Sequence, residues 1–90
     1  MATIWKYKLQ RDSNRECVIE LPEPYQVLSC HTQGEDIYVW IKIEEEHPLW
    51  TKPVTFVIYG TGSHFWDDDL EFVGTAHKNH TVWHVFRRLE

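Results

Sequence analysis

No stretch of this 90-residue chain carries a convincing helical repeat, and the residues that usually announce a chemistry are scarce. Nothing approaches the ~20 consecutive apolar residues that a membrane-spanning helix needs. The start, Met1-Ala2-Thr3-Ile4-Trp5-Lys6, has no basic segment leading into an apolar run, so no signal peptide is expected and the cytoplasm is the expected location. Lys and Arg are outnumbered, nine against fourteen Asp and Glu, for a net charge of −5. That balance disfavours direct binding to nucleic-acid backbones, which needs clustered cations. With four Gly, four Pro, no repeats and no low-complexity tract, the chain reads as one domain over residues 1–90.

Two cysteines are too few for a disulfide framework, and neither belongs to a CxxC pair. Cys17 and Cys30 flank the turn Pro22-Glu23-Pro24, and a hairpin there would set them nearly opposite one another. A bridge is geometrically open on that reading. A reducing cytosol makes buried free thiols the stronger expectation. No base stands beside either one to make it a nucleophile.

What the chain does have is aromatic mass and a period of two. A domain of this size buries only roughly 60 to 65% of its unfolded surface. Five Trp, four Tyr and four Phe therefore matter, because each aromatic can supply a large buried area. Trp5, Tyr7 and Leu9 alternate with Lys6 and Lys8, and Cys17, Ile19 and Leu21 alternate with Glu16 and Glu20. These read as half-buried strands. Residues 25–31 form a third, closed by a turn at Gln33-Gly34-Glu35-Asp36. Ile37, Val39, Ile41 and Ile43 give a fourth, residues 54–59 a fifth, 70–77 a sixth and 81–87 a seventh, with loops at 44–53 and 60–69. The fold class is all-β: a small antiparallel barrel or a two-sheet sandwich of about seven short strands.

Tyr38, Trp40, Val57 and Tyr59 lie opposite the main apolar sets of strands four and five. If those two strands pair, aromatics occupy both faces of one sheet. The second face is then covered by another sheet, or forms an interface such as that of a homodimer, because monomers rarely expose large apolar patches.

Sites for catalysis are poorly supported. A Ser63/His64/Asp67 triad can be written, but neighbours in one loop rarely reach triad geometry, and no oxyanion hole is identifiable. The aspartates Asp67-Asp68-Asp69 share a loop, whereas an acid/base pair needs two distinct environments. His77, His80 and His84 bracket a hairpin without a zinc spacing, and no metal or other cofactor is expected. Gly60-Thr61-Gly62 superficially suggests an anion-binding nest, yet it matches neither GxxxxGK[ST] nor GxGxxG and runs into three aspartates that repel phosphate. A strand end needing positive φ is the simpler reading. The chain is expected not to be an enzyme. The acid runs Glu44-Glu45-Glu46 and Asp67-Asp68-Asp69 with Glu71 read as solvated loops, or as a negative patch for a basic partner.

Several blocks carry a resemblance. They are Ile4-Trp5-Lys6-Tyr7, Val27-Leu28-Ser29, Phe56-Val57-Ile58-Tyr59-Gly60-Thr61-Gly62, Asp67-Asp68-Asp69-Leu70-Glu71-Phe72-Val73-Gly74-Thr75 and Val82-Trp83-His84-Val85-Phe86. In order and spacing the chain resembles a family of small proteins, without an assigned activity, found in tailed bacteriophages and prophages. Members of that family end soon after the last block, so residues 87–90 are expected to be a tail, with Leu89-Glu90 read as an added remnant. The resemblance implies an accessory protein that acts by binding inside the infected or lysogenic bacterium, typically on a host protein of anti-phage defence. On that reading the partner-binding residues are Tyr38, Trp40, His64, Phe65, Trp66, Asp67, Asp68 and Asp69. The alternative is a small-molecule sponge for a nucleotide signal, stacking it on Trp or Tyr and using Tyr59, Gly60, Thr61, Gly62 and His84. The cations open to that alternative are Lys6, Lys8, Lys52, Arg87 and Arg88.

Overall fold

The computed structural model describes residues 1–44 and 50–89. Among them are seven strands: β1 (Thr3–Leu9), β2 (Glu16–Pro22), β3 (Tyr25–Gln33), β4 (Asp36–Ile43), β5 (Thr51–Gly60), β6 (Leu70–Lys78) and β7 (Thr81–Arg88). They form two antiparallel sheets, ordered β1-β4-β3 and β2-β5-β7-β6. The sheets stack as a sandwich and do not close into a barrel. The shortest dimension, 19 Å, is that of two layers. None of the described residues is helical, so no helix is long and apolar enough to cross a membrane.

The alternation in the sequence is the alternation of the core. Ile37, Val39, Ile41 and Ile43 of β4 point inward and are buried, while Tyr38, Trp40 and Lys42 between them are half-buried on the outer face. Across the core stand Leu21, Val54, Phe56, Ile58 and Val85 from the larger sheet. Two turns suit their residues. Gly34, at φ 64°, opens the β3–β4 turn, and Asn79 and His80, at φ 52° and 62°, make the two-residue turn between β6 and β7. In the 10–15 connection Asp12 Oδ1 accepts the backbone N–H groups of Asn14 (2.8 Å) and Glu16 (3.0 Å), while Arg15 takes φ 66°.

Four points of the sequence reading are corrected. Strands four and five do not pair: β4 lies between β1 and β3, and β5 lies in the other sheet between β2 and β7. Residues 23–24 make a crossover between sheets rather than a hairpin. β2 stays on β5 to its end, with Pro22 opposite Thr51 and the Glu23 N–H bonded to the Trp50 carbonyl, and Pro24 has no N–H with which to continue a ladder. Cys17 and Cys30 are consequently on different sheets, and both are free thiols. Arg87 and Arg88 belong to β7, which pairs Arg87 with Phe56 and Arg88 with Leu70, so they are not a tail. The strand after the 44–53 loop begins earlier than expected, at Thr51. Pro53 is accommodated there because β7 reaches only Phe56–Gly60 of β5, leaving that end of the strand open on one side. Glu45, Glu46 and Pro48 lie outside the described residues.

The two sheets meet along β3 and β6. Gly74 follows a register shift in β6, and a Cβ placed on it would lie 2.8 Å from the Cys30 sulfur. Thr32 donates its hydroxyl hydrogen to the His77 carbonyl across the same seam.

Candidate functional site

The outer face of the larger sheet is built from side chains that alternate with its core. On β7, Val85 is fully buried inward, so His84, Phe86 and Arg88 stand on the outside. Tyr59 of β5 and Phe72 of β6 join them through the pairs Tyr59↔His84 and Phe72↔Phe86. The loop 61–69 folds back over this face. The Phe65 ring stacks on Tyr59, with centroids 4.0 Å apart and planes at 10°. Phe86 meets both rings, at 6.2 Å from Tyr59 and 5.9 Å from Phe65, and Phe72 closes edge-on at 5.6 Å. It is therefore a loop residue, and not a second sheet, that covers Tyr59.

The loop is held by charge as well. The Tyr59 hydroxyl donates to Asp67 Oδ2 at 2.7 Å. Burial, then that bond, raises the phenol above its ordinary pKa. Arg88 gathers three carboxylates: Glu16 at 2.8 Å, Asp69 at 3.4 Å and Asp67 at 3.7 Å. Burial works against the Arg88 cation, and the three carboxylates outweigh it, so its pKa is raised. The loop thus has two anchors, Phe65 and Asp67, with Trp66 between them 90% exposed. Phe65 (41%), Phe72 (59%) and Val18 (60%) add apolar surface on the same side.

The expected partner-binding residues divide between two faces. Phe65, Trp66, Asp67, Asp68 and Asp69 come together, and His64 is exposed in the same loop. Tyr38 and Trp40 lie on the outer face of the other sheet, where Trp40 meets Tyr38 and His31 edge-on and Lys6 sits 4.8 Å over the Tyr38 ring. The structure does not bring them to the loop. Asp67 is engaged by Tyr59 and Arg88, and no bond to His64 or Ser63 assembles a triad among the described residues.

The residues of the nucleotide alternative are largely occupied by one another. Thr61 N–H bonds the Val82 carbonyl at 3.0 Å, and Ser63 N–H bonds the Gly60 carbonyl at 3.1 Å. These two amides are unavailable to an anion. His84 lies between two hydroxyls, Thr61 Oγ1 at 2.9 Å from Nε2 and Thr75 Oγ1 at 3.4 Å from Nδ1, tying the loop start to β6. Gly62 has φ 93°, which explains one glycine of the pair. Gly60 owes its place to Trp83, whose ring would lie 3.3 Å from an added Cβ. No three His, Cys, Asp or Glu side chains gather to hold a metal ion among the described residues.

Sequence reasoning missed Arg88, Glu16 and Phe86 as parts of this face. The signal that could have found Arg88 was its alternation with Phe86 and His84, had the strand been carried one residue further.

A family model described as a domain of unknown function, DUF7352, matches residues 1–90. The chain belongs to this family. No curated protein and no solved structure matches it. For this DUF7352 protein the face just described, with its braced loop, is the candidate site.

Proposed function

We propose that this DUF7352 protein is a binding protein and not an enzyme, and that it engages another protein through the loop 63–69 and the aromatic face beneath it. The observation that carries this reading is Trp66, 90% exposed between two anchored neighbours. An exposed indole costs free energy in a monomer, and large aromatics on ordered supports are the usual anchors of protein interfaces. Bracing the loop in advance reduces the ordering entropy lost on association. Four carboxylates, on Glu16, Asp67, Asp68 and Asp69, accompany Arg88 and Arg15 around the loop. The excess of negative charge suits a partner with a basic surface. The sequence resemblance supplies the setting: an accessory protein of a bacteriophage or prophage that inhibits a protein of its bacterial host.

Affinity capture from a bacterial lysate, followed by calorimetry with the purified captured protein, tests this. Trp66→Ala should abolish or greatly weaken binding without lowering stability, and Trp40→Ala, on the other sheet, should leave it intact. Capture of nothing, or binding indifferent to Trp66→Ala and Asp68→Asn, would overturn the reading.

A further inference from the structure

A second feature lies away from that loop, at the end of the sandwich where the two sheets part. There an open cleft of about 260 Å³ has an apolar floor of Leu9, Ile37 and Ile58, the inward residues of β1, β4 and β5. Arg11, Lys78 and Trp83 form its walls, with Asn79 of the β6–β7 turn at the rim. We propose that this cleft binds a small phosphate monoester whose organic body rests on the apolar floor.

The charge distribution carries the argument. In a chain of net charge −5, Lys8, Lys42, Lys52, Arg87 and Arg88 each make an ion pair with a carboxylate. Lys6, Arg11, Arg15 and Lys78 make none among the described residues. Lys6 and Arg15 stand over the Tyr38 and Tyr59 rings, whereas Arg11 and Lys78 line the same cleft, whose lining contains no acid. Cations left without a counter-charge in an acidic protein, converging on one concavity, create a local positive field suited to an anion.

The geometry of Arg11 adds direction. Its guanidinium sits 4.5 Å over the Trp83 ring and donates one N–H to the Ile58 carbonyl at 3.3 Å. Trp83 is itself fixed, its Nε1–H bonded to the Lys78 carbonyl at 3.1 Å. The stack and the carbonyl bond orient a fork with five N–H donors while consuming one of them. An oriented guanidinium matches the paired oxygens of a phosphate, and Lys78 adds the second charge that a dianion calls for.

Size and chemistry narrow the ligand. The volume corresponds to about nine water molecules at ~30 Å³ each, enough for a phosphate and a body near one ring in size. One face of the indole carries Arg11 and the ring also packs on Gly60, so the ligand's body rests on the aliphatic floor and does not stack on Trp83. This site differs from the Gly60-Thr61-Gly62 turn, where the Thr61 and Ser63 amides are already bonded.

The test is a titration of the full chain, ¹⁵N-labelled, with phenyl phosphate, inorganic phosphate and benzoate. Phenyl phosphate should give saturable shifts at Arg11 Nε, Trp83 Nε1 and the Lys78 and Asn79 amides, with inorganic phosphate weaker for want of the floor. Arg11→Gln and Lys78→Gln should each weaken phenyl phosphate by about tenfold or more while the fold, judged from the remaining amide shifts, is unchanged. Trp66→Ala should leave this binding untouched, so the cleft and the loop stand or fall separately. Absence of saturable shifts with either phosphate, binding indifferent to both substitutions, or benzoate binding as tightly as phenyl phosphate would each overturn the proposal.

Discussion

The Tyr59 hydroxyl donates a 2.7 Å hydrogen bond to Asp67 while the Tyr59 ring carries Phe65 flat against it, so one strand residue holds the loop at two points two residues apart. Removing the hydroxyl separates the two. In Tyr59→Phe the stack survives and Asp67 keeps Arg88, so a loss of about 1 kcal/mol is expected. The loss should be local: amides of residues 63–68 should exchange faster with solvent while those of β4 are unchanged. Phe65→Ala, which deletes the stack, should speed exchange further. Hydrogen exchange read residue by residue checks both, and uniform acceleration across the sheets would show that the bond supports the whole fold instead.

Gly74 of β6 faces the Cys30 side chain of β3 where the two sheets meet. A methyl group on Gly74 would stand 2.8 Å from the Cys30 sulfur, nearer than non-bonded atoms lie. Both strands are paired, so neither can retreat freely. Gly74→Ala should cost about 1–3 kcal/mol. Cys30→Ala should cost something by itself, since the thiol is 2% exposed in the core. Together the two changes should cost less than their sum, because the second removes the atom the first collides with. A double-mutant cycle by urea denaturation measures that coupling, and strict additivity would show that β6 shifts to admit the methyl.

These cases show what the linear pattern carries. The inward set of β4 was legible because one face of the strand is core and the other is wetter, and period two then follows from the pleat. In β1 the same alternation was legible, but only Leu9 is buried, Tyr7 is half-buried and Trp5 is 58% exposed, because the strand runs out past the edge of the core. β5 was legible as a strand, but its partners were not. Phe56, Val57, Ile58 and Tyr59 are apolar on both faces, so alternation says nothing about which neighbour lies beside it. The acidic loop was found by composition and its two-point attachment was not, since that depends on Tyr59 and Arg88 reaching it through the sheet. Tyr38 and Trp40 were grouped with the loop because they too are aromatics off the core. Only the strand order separates the two faces.

Arg88 offers a test of the charge at this face. Its guanidinium meets Glu16, Asp67 and Asp69, which without it would repel one another. The side chain is 29% exposed, so the worth of the network falls between that of a surface pair and that of a buried one. Arg88→Met should lower stability by about 1–2 kcal/mol. Added salt should restore part of the loss by screening the three carboxylates. Arg88→Lys should recover less than the wild-type value, since a point charge cannot serve three separated acceptors as a fork does. Thermal melts at low and high salt distinguish these outcomes. A variant whose deficit is indifferent to salt would assign Arg88 a packing role through its methylenes.

Alkaline pH should weaken the fold, and the sign follows from Cys30. Burial pushes its thiol from an ordinary 9.0 up to about 11. Below pH 9 the group is neutral in both folded and unfolded chains and contributes no slope. Between about pH 9 and 11 the unfolded chain releases a proton that the folded chain keeps, so the folded state binds more protons and stability falls as pH rises. Across the window the loss amounts to roughly 2–3 kcal/mol. Burial raises the phenols of Tyr59 and Tyr7 as well, which extends the decline in the same direction at higher pH. Cys30→Ala should start from a lower stability and yet show a shallower fall from pH 9, because the remaining slope belongs to the tyrosines. Urea midpoints measured across the window, wild type beside Cys30→Ala, read this difference directly. Parallel curves would mean that Cys30 ionises in the folded protein as readily as in the unfolded chain, and that the seam beside Gly74 admits water.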